Sequence, residues 1–155
     1  MTTKTLFIDK KLPDKSRAVV EFLLRASIEA IGADGTSVML LSADGGTLAM
    51  VGMAARRGGL ASNIGISVKR GERVCGRAVQ TGETYIINGD VQKNPAFASL
   101  KKYQEIKSGM SSPLKAGNKI LGVLNLKRIE MDEPLSADEA RIAEGLAAIA
   151  AEILA

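Results

Sequence analysis

The residues able to do chemistry in this chain are few. Its 155 residues include one cysteine, Cys75, and no histidine. Histidine is the commonest general acid/base and the commonest metal ligand. Its absence excludes Ser-His-Asp and Cys-His nucleophilic sites and histidine-based zinc sites, and a lone cysteine excludes an internal disulfide. Cys75 shares a helical face with Ala78 and Val79, the position of a small buried hydrophobe; the alternatives are a thiol sensor, an attachment site or a reductase thiol. Ser111-Ser112 has only Lys107 or Lys115 as a candidate base, and either would need a strongly lowered pKa. Arg56-Arg57-Gly58-Gly59 could hold an anion with guanidinium and backbone N–H groups. No helix N-terminus follows it, so an exposed basic loop is the plainer reading. These residues point to a protein that binds rather than reacts, with no catalytic residue, no metal and no cofactor.

The bulk composition agrees. Hydrophobic residues make up 46% and charged residues 25%, which excludes a disordered chain, and the length suits one domain. Aromatics are only 3%, so the core must be aliphatic. A net charge of +4 is scattered as Arg56-Arg57, Lys69-Arg70, Lys101-Lys102 and Lys127-Arg128, a solvated surface rather than a nucleic-acid patch. No apolar run is long enough to cross a membrane or to serve as a signal peptide, so a cytoplasmic location is expected.

The elements that must position these residues can be read in order. Residues 1–13 form an N-terminal arm in which Leu6-Phe7-Ile8 either adds a strand or stays loose. A single domain spans 14–155. Asp14 is expected to cap a helix over 15–31, with one apolar stripe of Val20, Leu23, Leu24, Ser27 and Ile31 and a second of Val19, Phe22 and Ala26, so that both sides are covered. Thr36–Leu41 and Thr47–Ala54 flank an Asp44-Gly45-Gly46 hairpin. A short strand over 65–69, a helix over 71–80 and a strand over 84–87 follow. A polar connection from Asn88 to Ser99 precedes a short helical piece near 97–106. Ser108–Lys115 and Lys119–Lys127 form the clearest hairpin, with Pro113 expected to interrupt its first strand. Ser136 to Glu139 is a capping box for the last helix. That helix carries an Ile142, Leu146, Ile149, Ile153 stripe and an Ala143, Ala147, Ala150, Leu154 stripe, the alanines allowing another helix to approach closely. The whole is an α+β arrangement around an antiparallel sheet.

Four segments in this order resemble the GAF domain family over about 16–155. They are Ser37-Val38-Met39-Leu40-Leu41 with its Asp44-Gly45-Gly46 turn, Gly71 to Glu83 ending in Thr81-Gly82-Glu83, Asn88 to Phe97, and Ser112-Pro113-Leu114 through Gly117 to Leu126 with the last helix. The resemblance implies a GAF-like, PAS-related antiparallel sheet of about six strands, with the first and last helices on one face and loops and short helices enclosing a ligand pocket on the other. It implies a sensory role ahead of an output partner, and a homodimer through the outer helices, for which Ala143, Ala147, Ala150 and Leu154 are the candidates.

For the pocket, the resemblance points to Tyr85, Asn88, Phe97, Tyr103, Met110 and Ser112, with Cys75 beside them. Asn94 and Phe97 match part of the family's cyclic-nucleotide signature, but Leu100-Lys101-Lys102-Tyr103 replaces its Asp-Glu. The family's sulfoxide reductases use several cysteines, and its haem and bilin binders use a histidine or a placed cysteine. The expectation is therefore a small-molecule sensor of unidentified ligand, with a ligand-free dimerisation module as the second reading and a Cys75-dependent reductase as the third.

Overall fold

A computed structural model describes residues 2–88, 108–129 and 133–155. Its strands are β1 (Thr5–Ile8), β2 (Gly35–Leu41), β3 (Thr47–Ala55), β4 (Ser67–Lys69), β5 (Tyr85–Asn88), β6 (Ser108–Ala116) and β7 (Lys119–Arg128); its helices are α1 (Asp14–Ala26), α2 (Arg73–Thr81) and α3 (Ala137–Leu154). All strand pairs are antiparallel, in the order β1-β3-β2-β7-β6-β5, with β4 also on β3. This is the α+β architecture expected, with seven strands rather than about six. The extra strand is the Leu6-Phe7-Ile8 segment, which pairs with Gly52–Ala55 at the sheet edge.

Local chemistry accounts for the connections. Asp44 accepts from the Gly46 N–H at 2.9 Å and from the Ser42 hydroxyl at 2.6 Å, closing the β2–β3 turn while Gly45 takes φ 74°. Ser136 and Glu139 form the reciprocal capping box that starts α3. Pro13, not Asp14, occupies the N-cap of α1, and no side chain caps it; Asp14 is the first helical residue and pairs with Arg17 at 2.7 Å. The last turn of the first helix widens into a π-helical turn, Ser27–Ile31, where the Ser27 hydroxyl donates back to the Leu23 carbonyl at 2.6 Å, and Gly32 ends it at φ 83°.

Pro113 does not interrupt β6. The strand runs through it, paired to Val123 of β7, and the irregularity falls between Leu114 and Lys115. Pairing to β5 ends at Ser111, so β6 has no partner on that side at Pro113.

Two cores lie on opposite faces of the sheet. On one, Val38, Val51, Ala54, Met110, Leu114, Leu124 and Leu126 meet Val20, Leu23, Leu24 and Ile28 of the first helix and Ala140, Ala143, Ala147, Ala150 and Ala151 of α3. The smaller core packs Met39, Leu48, Val68 and Val123 against Cys75, Ala78 and Val79 of α2. Gly122 and Gly52 set the close approaches. A Cβ on Gly122 would lie 2.1 Å from the Met39 carbonyl oxygen, and one on Gly52 would lie 2.6 Å from Val20. Covering of the second stripe of α1 is partial: Val19 is buried in this core beside Val20, Leu23 and Leu24, whereas Phe22 is 56% exposed.

Candidate functional site

The face of the sheet turned away from α1 and α3 divides into two halves. α2 fills one with the Met39, Leu48, Val68 and Val123 cluster. Two residues further along β2 and β7, strand alternation puts the next inward positions on the same face. There the register aligns Tyr85, Ser111, Asn125, Ser37, Met53 and Phe7 across six strands. Three of these are polar and joined. The Ser111 hydroxyl donates to Asn125 Oδ1 at 2.7 Å, and Asn125 Nδ2 donates to Ser37 Oγ at 3.2 Å. Among the described residues nothing accepts from the Ser37 hydroxyl or from the second Asn125 amide hydrogen, so both donors are available to a ligand.

The adjoining row holds Ile87, Gly109, Lys127, Gly35 and Ala55. Lys127 is half-buried, and its stem lies over Gly35, where a Cβ would come within 2.7 Å of Lys127 Cε. Burial pushes the Lys127 pKa down. Among the described residues its ammonium has no ion pair and no hydrogen bond. Asp34, whose N–H donates to the Lys127 carbonyl, meets Arg56 at 2.8 Å, and Glu139 meets Arg128. The Asn63 N–H reaches Met53 Sδ at 3.2 Å, which brings the β3–β4 connection beside this floor.

The expected site residues are distributed between the two faces. Tyr85 lies on the α2 side, packed on that cluster with its hydroxyl donating to Thr81 Oγ1 at 3.2 Å. Cys75 is buried in the same cluster, and desolvation pushes its thiol pKa up. Met110 and Ser112 lie on the other face. Met110 is buried in the helix-side core, and Ser112 bonds Thr84 Oγ1 at 3.0 Å, which in turn reaches Glu144 of α3 at 3.1 Å. Asn88 is exposed and shares their parity, opposite Ser108. Phe97 and Tyr103, like the connection after Asn88 and the helical piece near 97–106, lie outside the described residues. The alanine stripe of α3 faces inward: Ala143, Ala147 and Ala150 are at most 2% exposed, Leu154 packs at the edge of the same core, and the helix they admit is the chain's own α1. The polar floor of Ser37, Asn125 and Lys127 was not among the expected residues.

Away from this floor, Arg128 forms a buried junction. It is 2% exposed, donates to the Ile31, Gly32, Glu133 and Pro134 carbonyls, and meets both oxygens of Glu139. Burial pushes the Glu139 carboxyl up, but hydrogen bonds from Arg128 and Ser136 and the Arg128 charge outweigh it and hold the group below its ordinary range. One guanidinium thus ties the end of β7 to the end of the first helix and to the start of α3.

Among the described residues no group of three or more acidic or cysteine side chains is placed to hold a metal, and no helix is long and apolar enough to cross a membrane.

Solved structures with this arrangement include the GAF-B domain of DevS from Mycobacterium smegmatis, at 18% identity and TM-score 0.68 over 89% of this chain and 91% of that one. A methyl-accepting chemotaxis protein matches at 15% identity and TM-score 0.75, over 91% and 88%. A free methionine-R-sulfoxide reductase from Neisseria meningitidis, solved with its substrate, matches at 20% identity and TM-score 0.65, over 92% and 79%. At these identities the likeness is one of fold. A search of curated protein sequences finds no match. The GAF domain family profile matches residues 15–155, all of the chain except β1 and the approach to α1, and the chain belongs to the GAF domain family.

Proposed function

We propose that this GAF domain is a small-molecule sensor module working in the cytoplasm, whose ligand lies on the α2-side face of the sheet over Ser37, Asn125 and Ser111. The hydrogen-bonded row of those three residues carries the reading. Polar side chains placed in a sheet with two free donors between them form a recognition surface, whereas the half of that face under α2 is filled by apolar packing. Occupancy would reach α1 and α3 through β7, whose end is held to both helices by Arg128. Catalysis is no part of the proposal, because the one thiol is buried in the α2 cluster, where desolvation raises its pKa. The test is native mass spectrometry and thermal shift with the wild-type chain and Asn125→Leu. Ligand-dependent stabilisation of the wild type, lost in the variant, is expected. Equal stabilisation of both would move the site off this floor.

A second reading, a homodimer through the outer helices that addresses an effector, rests on a separate observation. Phe22 of α1 and Ile142, Ile149 and Ile153 of α3 are 42–59% exposed on the outward side of the helix pair. Beside Phe22, a shallow groove is lined by Ala18, Glu21, Arg25, Ala26 and Glu29. Ile142, Ile149 and Ile153 share one helical face of α3, and exposed apolar side chains on one face mark an interaction surface. The two readings are compatible, since the faces are on opposite sides of the molecule.

A further inference from the structure

We infer that the ligand of this floor is a small organic anion whose carboxylate or phosphate group is neutralised by Lys127 and whose polar body lies along Ser37, Asn125 and Ser111. The inference rests on the sensing reading above and names the chemical class.

Three observations support it. First, Lys127 is the next-to-last residue of β7, a strand inside the sheet, where it lies between Gly35 of β2 and Gly109 of β6 rather than at a sheet edge. Its stem is half-buried on this face while its ammonium keeps contact with solvent. Here no carboxylate among the described residues pairs with it. Second, its neighbours across the strands leave room for its stem. Gly35 and Gly109 on the flanking strands carry no side chain, and the Lys127 stem already occupies the place that a Cβ on Gly35 would take. Third, the free hydrogen-bonding capacity of the next row is directed at an acceptor. The Ser37 hydroxyl hydrogen and the second Asn125 amide hydrogen are both donors without an acceptor among the described residues. Asn125 and Lys127 are two residues apart on one strand, so their side chains stand on the same face about 6–7 Å apart, the span of a small dicarboxylate or a phosphate with its ester group. One cation and two neutral donors facing the same space suit an anion and disfavour a cationic or apolar ligand. The lowered pKa of Lys127 fits the same picture, because an anion placed there would favour the charged form that burial disfavours.

The experiment uses the full chain and matched pairs that differ in charge: succinate against succinamide, adenosine monophosphate against adenosine, and inorganic phosphate alone. Tm is read for the wild type, Lys127→Met and Lys119→Met, an exposed lysine at the start of β7 outside the floor. The charged member of at least one pair should raise the wild-type Tm by roughly 5–10 °C at a hundredfold excess over Kd. Its affinity should fall at least tenfold in Lys127→Met and stay unchanged in Lys119→Met. The carboxylate and phosphate arms tell the two sources of negative charge apart. Without ligand, Lys127→Met should be at least as stable as the wild type, since an unpaired half-buried charge has been removed. If Lys127→Met does not fold, the wild type alone decides: the Asn125 side-chain amide resonances must move on titration with the stabilising anion, and fixed resonances overturn the inference. Stabilisation by the neutral members as strong as by the anions, or anion binding unchanged in Lys127→Met, overturns the inference and leaves the sensing reading standing. No Tm shift with any compound overturns both.

Discussion

One buried arginine joins three elements of this domain. Arg128 supplies donors to four carbonyls and one carboxylate while almost fully buried. Removing one partner of such a junction leaves the others uncompensated, so Arg128→Met should cost about 3–5 kcal/mol in urea denaturation at neutral pH. The pH dependence follows from Glu139. Its folded-state pKa is lowered, so its contribution is complete above the ordinary carboxylate range and is lost as pH falls through the lowered value. Glu139→Gln should therefore flatten the acid limb of the stability curve, and a limb as steep as the wild type's would show that the carboxylate contributes nothing to it. The candidate site was only partly legible at this scale. Ser111-Ser112 is a polar pair without alternation, so nothing local says which of the two faces the pocket, and the phase of β6 is set only by its pairing with β7. The usable signal lay in β7. Asn125 and Lys127 alternate with Leu124 and Leu126, which places both polar residues on one face of an apolar strand. Ser37, 88 residues earlier, joins them only through tertiary pairing.

Elements with local punctuation were the ones that could be read. The capping box, the Asp44 turn and the β6–β7 hairpin are each specified by side chains within a few residues, and all three stand where expected. Ser136→Ala should accordingly destabilise by about 1 kcal/mol, measured by chemical denaturation, through loss of the bond to the Glu139 N–H. No measurable change would mean that Glu139, held by Arg128, keeps the helix start in place unaided. What helical periodicity could not tell was which stripe turns inward. Both stripes of α3 are apolar; the alanines face in because a close helix–sheet contact has room for methyl groups only, and the larger isoleucines are left outside. The π-helical turn carries no sequence mark beyond Ser27, whose hydroxyl competes for the Leu23 carbonyl.

On the scale of the whole molecule, the outward isoleucines are the feature with a solution consequence. Light scattering should find a dimer at tens of micromolar, and Ile149→Glu should return it to a monomer with unchanged fold; a wild-type monomer under the same conditions ends the dimer reading. The two ends of the sheet show a different kind of care. β3 is nine residues long and rich in small and apolar side chains, and its outer edge is occupied by two short strands, β1 and β4. Among the described residues the open edges are β1, β4 and β5, strands of three and four residues, and the part of β6 beyond Ser111, which carries Pro113. Short edges are poor templates for recruiting another chain. β1 therefore protects solubility as well as adding a strand. Without it, four residues of β3 backbone from Gly52 to Ala55 would present unpaired amides beside an apolar core, and the domain would become a seed for edge-to-edge aggregation.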